Sequence, residues 1–296
     1  MLGISLLLVG CATINNEDAR DEKTAVLFGV NEQVDQEMKE EVESEAEAKN
    51  DETKEIAVDY SAYFGEKDGC VVIYNTLDEQ YYIYNKEQVT EVFSPCSTFK
   101  IISALIGIEE QVLSSIDTKM NYGGDFYSID SWNSDLTLQG AFKNSCVWYF
   151  RKVLDQVGEK CVKAYLEVLG YGNCDVSEWQ GSGVNATEDT NGFWLESSLK
   201  ISPIQQVQVL YNLFEIDTQF NSKSKKILKT LMYIDTINSY EFYGKTGTGN
   251  QNAWFVGFVQ KEDIKYYFAV HLGENNETNI SGNDAREIAQ KVVQNF

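Results

Sequence analysis

Apolar and polar positions change rhythm several times along this chain. Residues 1–10 are short and apolar and end Leu8-Val9-Gly10-Cys11, after which a polar, acidic stretch almost without aromatics runs to about Val58. Two β-rich runs follow, Cys70-Val71-Val72-Ile73-Tyr74-Asn75 and Gln80-Tyr81-Tyr82-Ile83-Tyr84-Asn85, and the four residues between them predict a hairpin. From Ser97 the pattern turns helical and apolar on nearly all sides (Phe99, Ile101, Ile102, Ala104, Leu105, Ile106), which predicts a helix inside the core, with Pro95 suited to its entry. Residues 136–157 and 161–169 read as two more helical regions. Ser202-Pro203-Ile204-Gln205 is a capping box with proline at the first helical position, so another helix starts there. The last third returns to strands at 240–244, 253–260 and 264–272, closed by a helix over 283–295. Two early strands, intervening helices, three late strands and a final helix predict an α+β fold: an antiparallel five-stranded sheet completed by distant parts of the chain, flanked by helices, with a mostly helical subdomain inserted.

Composition narrows the chemistry. A chain of 296 residues with 43% hydrophobic positions can bury a substantial core. The net charge of -22 argues against nucleic acid or an anionic membrane surface as partner, since both call for a basic face. Much of that charge is local, because residues 17–55 hold 15 acids against 5 bases. Such a stretch cannot bury enough apolar surface to fold alone and reads as a tether. Leu8-Val9-Gly10-Cys11 is similar to a bacterial lipobox, whose cysteine becomes lipid-modified, though without the usual basic n-region, so the expectation is an exported protein held to the outer face of the cytoplasmic membrane through Cys11, the alternative being a plain secretory leader and a secreted or periplasmic protein. The organisation expected is therefore a signal segment over 1–11, a tether over 12–58 and a folded domain over 59–296.

One histidine, His271, occurs in the whole sequence, and it lies in a strand-like run. A Ser-His-Asp triad would have to use it, and multi-histidine metal sites cannot be built. The other cysteines, Cys70, Cys96, Cys146, Cys161 and Cys174, have no C-x-x-C spacing and read as small buried hydrophobes, so no metal is expected.

A base other than histidine is offered by Ser97-Thr98-Phe99-Lys100. A serine three residues before a lysine shares a helix face with it, which sets a hydroxyl beside an amine. The pattern alone is weak, one chance match being expected in roughly 250 residues, and Ser197-x-x-Lys200 and Ser222-x-x-Lys225 also occur. Ser222 lies in a lysine-rich, solvated run and Ser197 follows Glu196. Only Ser97 opens an apolar helix, where a lysine must be neutral, paired or modified.

Two further motifs follow in order, Ser145-Cys146-Val147 and Lys245-Thr246-Gly247. With Tyr171-Gly172-Asn173, Phe193-Trp194-Leu195-Glu196 and Lys200-Ile201-Ser202-Pro203, the set resembles the class D (OXA-type) serine β-lactamases of the penicillin-recognising superfamily over roughly residues 59–296. The resemblance implies a β-lactamase/transpeptidase-like fold. It also implies hydrolysis of the amide bond of small-molecule β-lactams through an acyl-enzyme on Ser97. Backbone amides of Ser97 and Thr248 would hold the oxyanion. The family's motif lysine is N-carboxylated, so Lys100 would take up carbon dioxide from bicarbonate and serve as general base, with no other cofactor; Trp194 would hold the carbamate. Ser145 would pass a proton toward the leaving nitrogen, with Lys245 supplying positive charge. Thr246, Gly247, Thr248 and Arg286 would meet the substrate carboxylate, while Val147 and Leu195 would line the carbamate pocket. Cys96 and Cys146 depart from the family's usual small apolar residues.

Three alternatives compete with this reading. A penicillin-sensing domain shares the motifs but traps the acyl-enzyme. Against it stand the missing run of ~20 apolar residues that signalling helices need and the apolar Val147, where a polar residue favours decarboxylation. A peptidoglycan transpeptidase or carboxypeptidase would carry Asn at position 147. A non-catalytic cell-wall-binding lipoprotein could keep the fold.

Overall fold

The computed structural model describes residues 54–216, 219–273 and 279–295. The leader with Cys11 and the tether up to residue 53 lie outside the described residues. Strand β1 (Lys54–Ala57) precedes a short helix α1 (Ser61–Phe64), then β2 (Asp68–Asn75) and β3 (Gln80–Tyr84). After a 3-10 turn at Cys96–Phe99 comes helix α2 (Lys100–Glu109), then the two short strands β4 (Lys119–Met120) and β5 (Leu136–Thr137). Helices α3 (Leu138–Lys143), α4 (Val147–Val157), α5 (Glu159–Leu169), α6 (Pro203–Tyr211) and α7 (Ser222–Met232) follow. Strands β6 (Tyr233–Ile237), β7 (Tyr240–Thr248), β8 (Asn252–Lys261) and β9 (Ile264–Gly273) then lead to helix α8 (Gly282–Val293).

The main sheet has seven strands in the order β1-β3-β2-β9-β8-β7-β6, not five. The predicted five form its centre: β2 pairs antiparallel with both β3 and β9, and β7, β8 and β9 pair antiparallel in succession. The two strands absent from the sequence reading, β1 and β6, sit at the edges and leave most positions exposed, so neither carries an apolar alternation that would reveal it. With β1 included, the sheet starts a few residues ahead of the boundary read at residue 59. Among the described residues no helix is long and apolar enough to cross a membrane.

The two faces of the sheet feed two cores. In β2, Cys70, Val72 and Tyr74 point into the helical layer, whereas Val71 and Ile73 pack with Phe255, Phe268 and Val270 against Ala285, Ile288 and Val292 of α8. Burial on both faces explains why these strands read as continuous apolar runs. On the helical side, α2 is buried from Lys100 to Ile108, as its all-round apolarity predicted. The capping box at Ser202 is formed, with Gln205 N donating to Ser202 Oγ at 3.3 Å.

The region expected to be helical over 136–157 is broken. It begins as β5, and α3 and α4 are separated at Ser145, whose φ is +52°. Cys146 N reaches back to Ala141 O at 2.8 Å and Ser145 N to Phe142 O at 3.3 Å, so the turn stays hydrogen-bonded while the serine is turned out of the helix. The five cysteines of the folded region are free, with Cys70, Cys96, Cys146 and Cys161 buried.

His271 lies toward the end of β9 at 1% exposure, stacked on Phe93 at 3.9 Å between ring centroids and against Trp254 at 4.3 Å. Neither ring nitrogen has a hydrogen-bond partner. Burial drops its pKa to about 3, so the imidazole is neutral in the fold. The unfolded chain takes up a proton near pH ~6.5, so stability is lost as pH falls from there toward about 3. Replacing His271 by Leu should flatten the acid limb by up to ~1.4 kcal/mol per pH unit between pH ~6 and ~4, read from urea unfolding at stepped pH.

Candidate active site

The nucleophile candidate sits on a tightened helix start. Residues Cys96–Phe99 form a 3-10 turn that runs into α2, with Pro95 ahead of it. Side chains three apart eclipse in that geometry, and Lys100 Nζ lies 2.8 Å from Ser97 Oγ. Lys100 is fully buried, with its Nζ 5.8 Å from the centre of the Phe150 ring. Burial lowers its pKa to about 8. The neighbouring thiols Cys146 and Cys96, each pushed up to about 12 mainly by burial, stay protonated at neutral pH and so offer the ammonium little opposing charge. The other two serine-lysine pairs have structural employment: Ser197 Oγ donates to Glu178 Oε2 at 2.6 Å, and Ser222 opens α7.

Ser145 is brought to the same place by the break between α3 and α4. Lys245 Nζ, from the middle of β7, donates to Ser145 Oγ at 2.5 Å and to Thr246 O at 2.9 Å. A serine oxygen that accepts from an amine keeps its own hydrogen for another acceptor. Lys245 is 5% exposed, and burial first, then the charge of Lys100, hold its pKa well below the usual lysine range. The turn carrying Ser145 is braced from behind, with Trp132 Nε1 donating to Asn144 O at 2.9 Å and Trp148 Nε1 to Trp132 O at 3.0 Å.

Trp194 is fully buried against Phe99, at 5.8 Å between ring centroids, and its Nε1 has no hydrogen-bond partner among the described residues. A buried indole N–H is normally satisfied, so this donor points to a missing acceptor. The loop that carries it is tied on two sides. Tyr171-Gly172-Asn173 holds it from below: Asn173 N donates to Lys200 O and Lys200 N to Asn173 Oδ1, both at 3.0 Å. Gly172 has φ +57°, and a Cβ there would lie 1.9 Å from Lys200 O.

Glu196 ties the other side, a role not legible in the sequence. Its backbone N donates to Ser94 Oγ at 2.9 Å, and Ser94 Oγ donates to Trp194 O at 2.9 Å. Its Oε1 accepts from Asn252 Nδ2 at 2.8 Å, from Asn250 N at 3.2 Å and from Cys96 Sγ at 3.5 Å. One carboxylate oxygen thus joins the nucleophile turn, the tryptophan loop and the β7-β8 turn. Cys96 and Glu196 each have φ +49°, a backbone cost that packing must hold.

The end of β7 lies along the nucleophile turn. A Cβ on Gly247 would sit 3.0 Å from Pro95 O and 3.3 Å from Thr98 N, which is why glycine serves there. Thr248 Oγ1 accepts from Gly282 N at 2.9 Å, which leaves its hydroxyl hydrogen for a ligand. Arg286 stands one turn further along α8, and its Nε is buried without a partner. The cleft in front has a volume of about 590 Å³ and is lined by Ser97, Ser145, Val147, Leu195, Thr246 and Thr248, with Lys100 and Lys245 hydrogen-bonded to the two serines of that lining, whereas Gly247, Trp194 and Arg286 are not part of it. Its remaining wall comes from residues 126–132 and 185–190.

Residues 66–294 match the family described as Penicillin binding protein transpeptidase domain. The regulatory protein BlaR1 of Staphylococcus aureus is 34% identical over 241 residues, 80% of this chain but 39% of that protein, so the chain spans well under half the length of that relative. The probable β-lactamase YbxI of Bacillus subtilis (strain 168) is 31% identical over 236 residues, 79% of this chain and 82% of that protein. Among solved structures, class D β-lactamase BAT-2 superposes with a TM-score of 0.71 at 29% identity, covering 80% of this chain and 95% of that one. The chain belongs to the penicillin-recognising serine enzymes, and its homologues and structural neighbours are class D β-lactamases together with BlaR-type penicillin sensors.

Gly249 tests the joint at Glu196. A Cβ there would lie 1.7 Å from Glu196 Oε1 and 2.9 Å from Cys96 Sγ. Gly249→Ala should lower stability by ~1–3 kcal/mol through overpacking. The effect should shrink when Glu196→Ala is added, because the clashing carboxylate is gone, a non-additivity measurable by urea unfolding of the single and double variants.

Proposed function

We propose that the protein hydrolyses β-lactams by way of an acyl-enzyme on Ser97, with Lys100 N-carboxylated in the resting enzyme. The observation that carries the reading is the pairing of a fully buried amine 2.8 Å from the serine hydroxyl with an unsatisfied indole donor on Trp194. An amine with a pKa of about 8 is uncharged in roughly a tenth of molecules at neutral pH, enough to react with carbon dioxide. Trp194 Nε1 and the Ser97 hydroxyl are the groups that would hold the resulting carbamate, which supplies a carboxylate-like proton acceptor in an apolar pocket.

The residues of the chain divide the work. Ser97 Oγ attacks the lactam carbonyl, and the backbone amides of Ser97 and Thr248 take the developing oxyanion; two such donors contribute several kcal/mol. The Ser97 proton would pass to the base at Lys100; as the C–N bond breaks, Ser145 gives its hydrogen to the leaving nitrogen and takes one in turn from Lys245 Nζ, which already donates to its oxygen, so the leaving amine gains in net the proton that Ser97 loses. Thr246 and Thr248 take the substrate carboxylate, and the partnerless Nε of Arg286 adds a positive group behind them. Val147 and Leu195 give the cleft an apolar lining beside Ser97 and would limit the approach of water to the base.

The alternative reading is a penicillin sensor that acylates without turnover, favoured by the 34% identity to BlaR1. Continuous nitrocefin hydrolysis supports the enzyme; a single equivalent of bound penicillin without turnover would establish the sensor. The same reading includes export, with attachment through a lipid on Cys11.

Lys100→Ala should abolish turnover while leaving Ser97 in place, checked by nitrocefin rates; deacylation at the unaltered rate would refute the base assignment. Trp194→Ala should lose most activity and regain part of it on adding bicarbonate. Because only the uncharged amine takes up carbon dioxide, and its fraction falls about tenfold per pH unit below about 8, lower pH works against carboxylation. Added bicarbonate should therefore stimulate the unaltered protein more at pH ~6 than at pH ~8, measured as initial rates in degassed buffer.

A further inference from the structure

Two lips complete the wall of the cleft that Thr246 and Thr248 also line. One is the loop that carries Phe126, Tyr127 and Ile129; the other is the segment 185–190 with its short 3-10 turn Glu188–Thr190. Each lip is braced internally. Asn133 holds the first, accepting from Tyr127 N at 2.8 Å and donating to Tyr127 O at 2.8 Å, while Trp132 meets the Tyr127 ring edge to face at 5.9 Å. In the second, Asn185 Nδ2 donates to Thr190 O at 2.7 Å and Asn191 Nδ2 to Asn185 O at 2.8 Å. Across the gap, the hydroxyl of Tyr127 donates to Asp189 Oδ2. Tyr127 is 5% exposed, whereas its neighbour Phe126, on the same lip, is 83% exposed at the mouth. Asp189 Oδ1 is buried without a partner, so the tyrosine hydroxyl is what satisfies this carboxylate. Neither lip is fixed by sheet pairing, so this hydrogen bond between side chains 62 residues apart ties them at that end.

We propose that the Tyr127–Asp189 hydrogen bond is the end stop of the cleft and sets how large an acylamino side chain a β-lactam can carry. The inference rests on the β-lactam reading above. In a penicillin the carboxylate and the acylamino group sit at opposite ends of the fused rings. With the carboxylate on Thr246 and Thr248, the side chain runs past Val147 and Leu195 toward the two lips. A compact side chain ends short of Tyr127. A branched aryl side chain meets the tied lips, and removing the tie lets them part.

The test compares acylation of Ser97 by benzylpenicillin and by the bulkier oxacillin, followed by intact-protein mass spectrometry, which reads the first covalent step whether or not turnover follows. Tyr127→Phe removes the donor and leaves the ring. It should raise the oxacillin-to-benzylpenicillin ratio of acylation rates about tenfold, the scale on which a single pocket contact discriminates. Asp189→Asn keeps an acceptor oxygen and should hold the ratio close to that of the unaltered protein, whereas Asp189→Ala should raise it as Tyr127→Phe does. Thermal unfolding of each variant separates loss of the tie from loss of the fold. Acylation with an unchanged ratio in both Tyr127→Phe and Asp189→Ala would overturn the end stop alone. Failure of either penicillin to acylate the unaltered protein would remove the β-lactam reading, and this inference with it.

Discussion

A primary amine buried in a protein interior is among the costlier arrangements a chain can hold, and the fold around α2 is organised to hold one. Among the described residues Lys100 has no carboxylate partner, and what faces it is a serine hydroxyl, an aromatic ring and two protonated thiols. The price is a depressed pKa, and the return is an amine that is reactive near neutral pH. The rest of the site follows from that environment. The apolar helix excludes water, the 3-10 start aligns hydroxyl with amine, and the loop above brings an indole donor that lacks an acceptor.

The second amine obeys the same constraint differently. Lys245 is also buried, and the charge of Lys100 pushes it further in the same direction. Its hydrogen bonds to Ser145 Oγ and Thr246 O satisfy the donors that burial takes from water. The two lysines thus make one electrostatic unit, in which the charge on one bears on the protonation of the other.

Most of the central sheet was legible because β2, β8 and β9 are buried on both faces and their sequences are almost uninterrupted apolar runs. The edge strands β1 and β6 were not, since they face water and spell no pattern. The helical region 136–157 read as continuous because its apolar spacing persists through Ser145; the left-handed turn there depends on long-range bracing by Trp132 and Trp148, which no local pattern encodes. Ser97, Lys100, Ser145 and Lys245 were visible as motifs because their chemistry needs fixed residue types at short spacing. Tyr127 and Asp189 were not, and Glu196 stood in a motif without a role, because what these three do lies in partners 50 or more residues away.

The carboxylate of Glu196 binds together three stretches that are remote in the chain: the turn before the nucleophile, the tryptophan loop and the bend after β7. A loop transplanted from a relative into any one of them would arrive without its counterparts in the other two. Exchange of substrate-contacting segments between such proteins therefore has to move these three together, and recombination that cuts between residues 97 and 193 separates parts that fit only as a set.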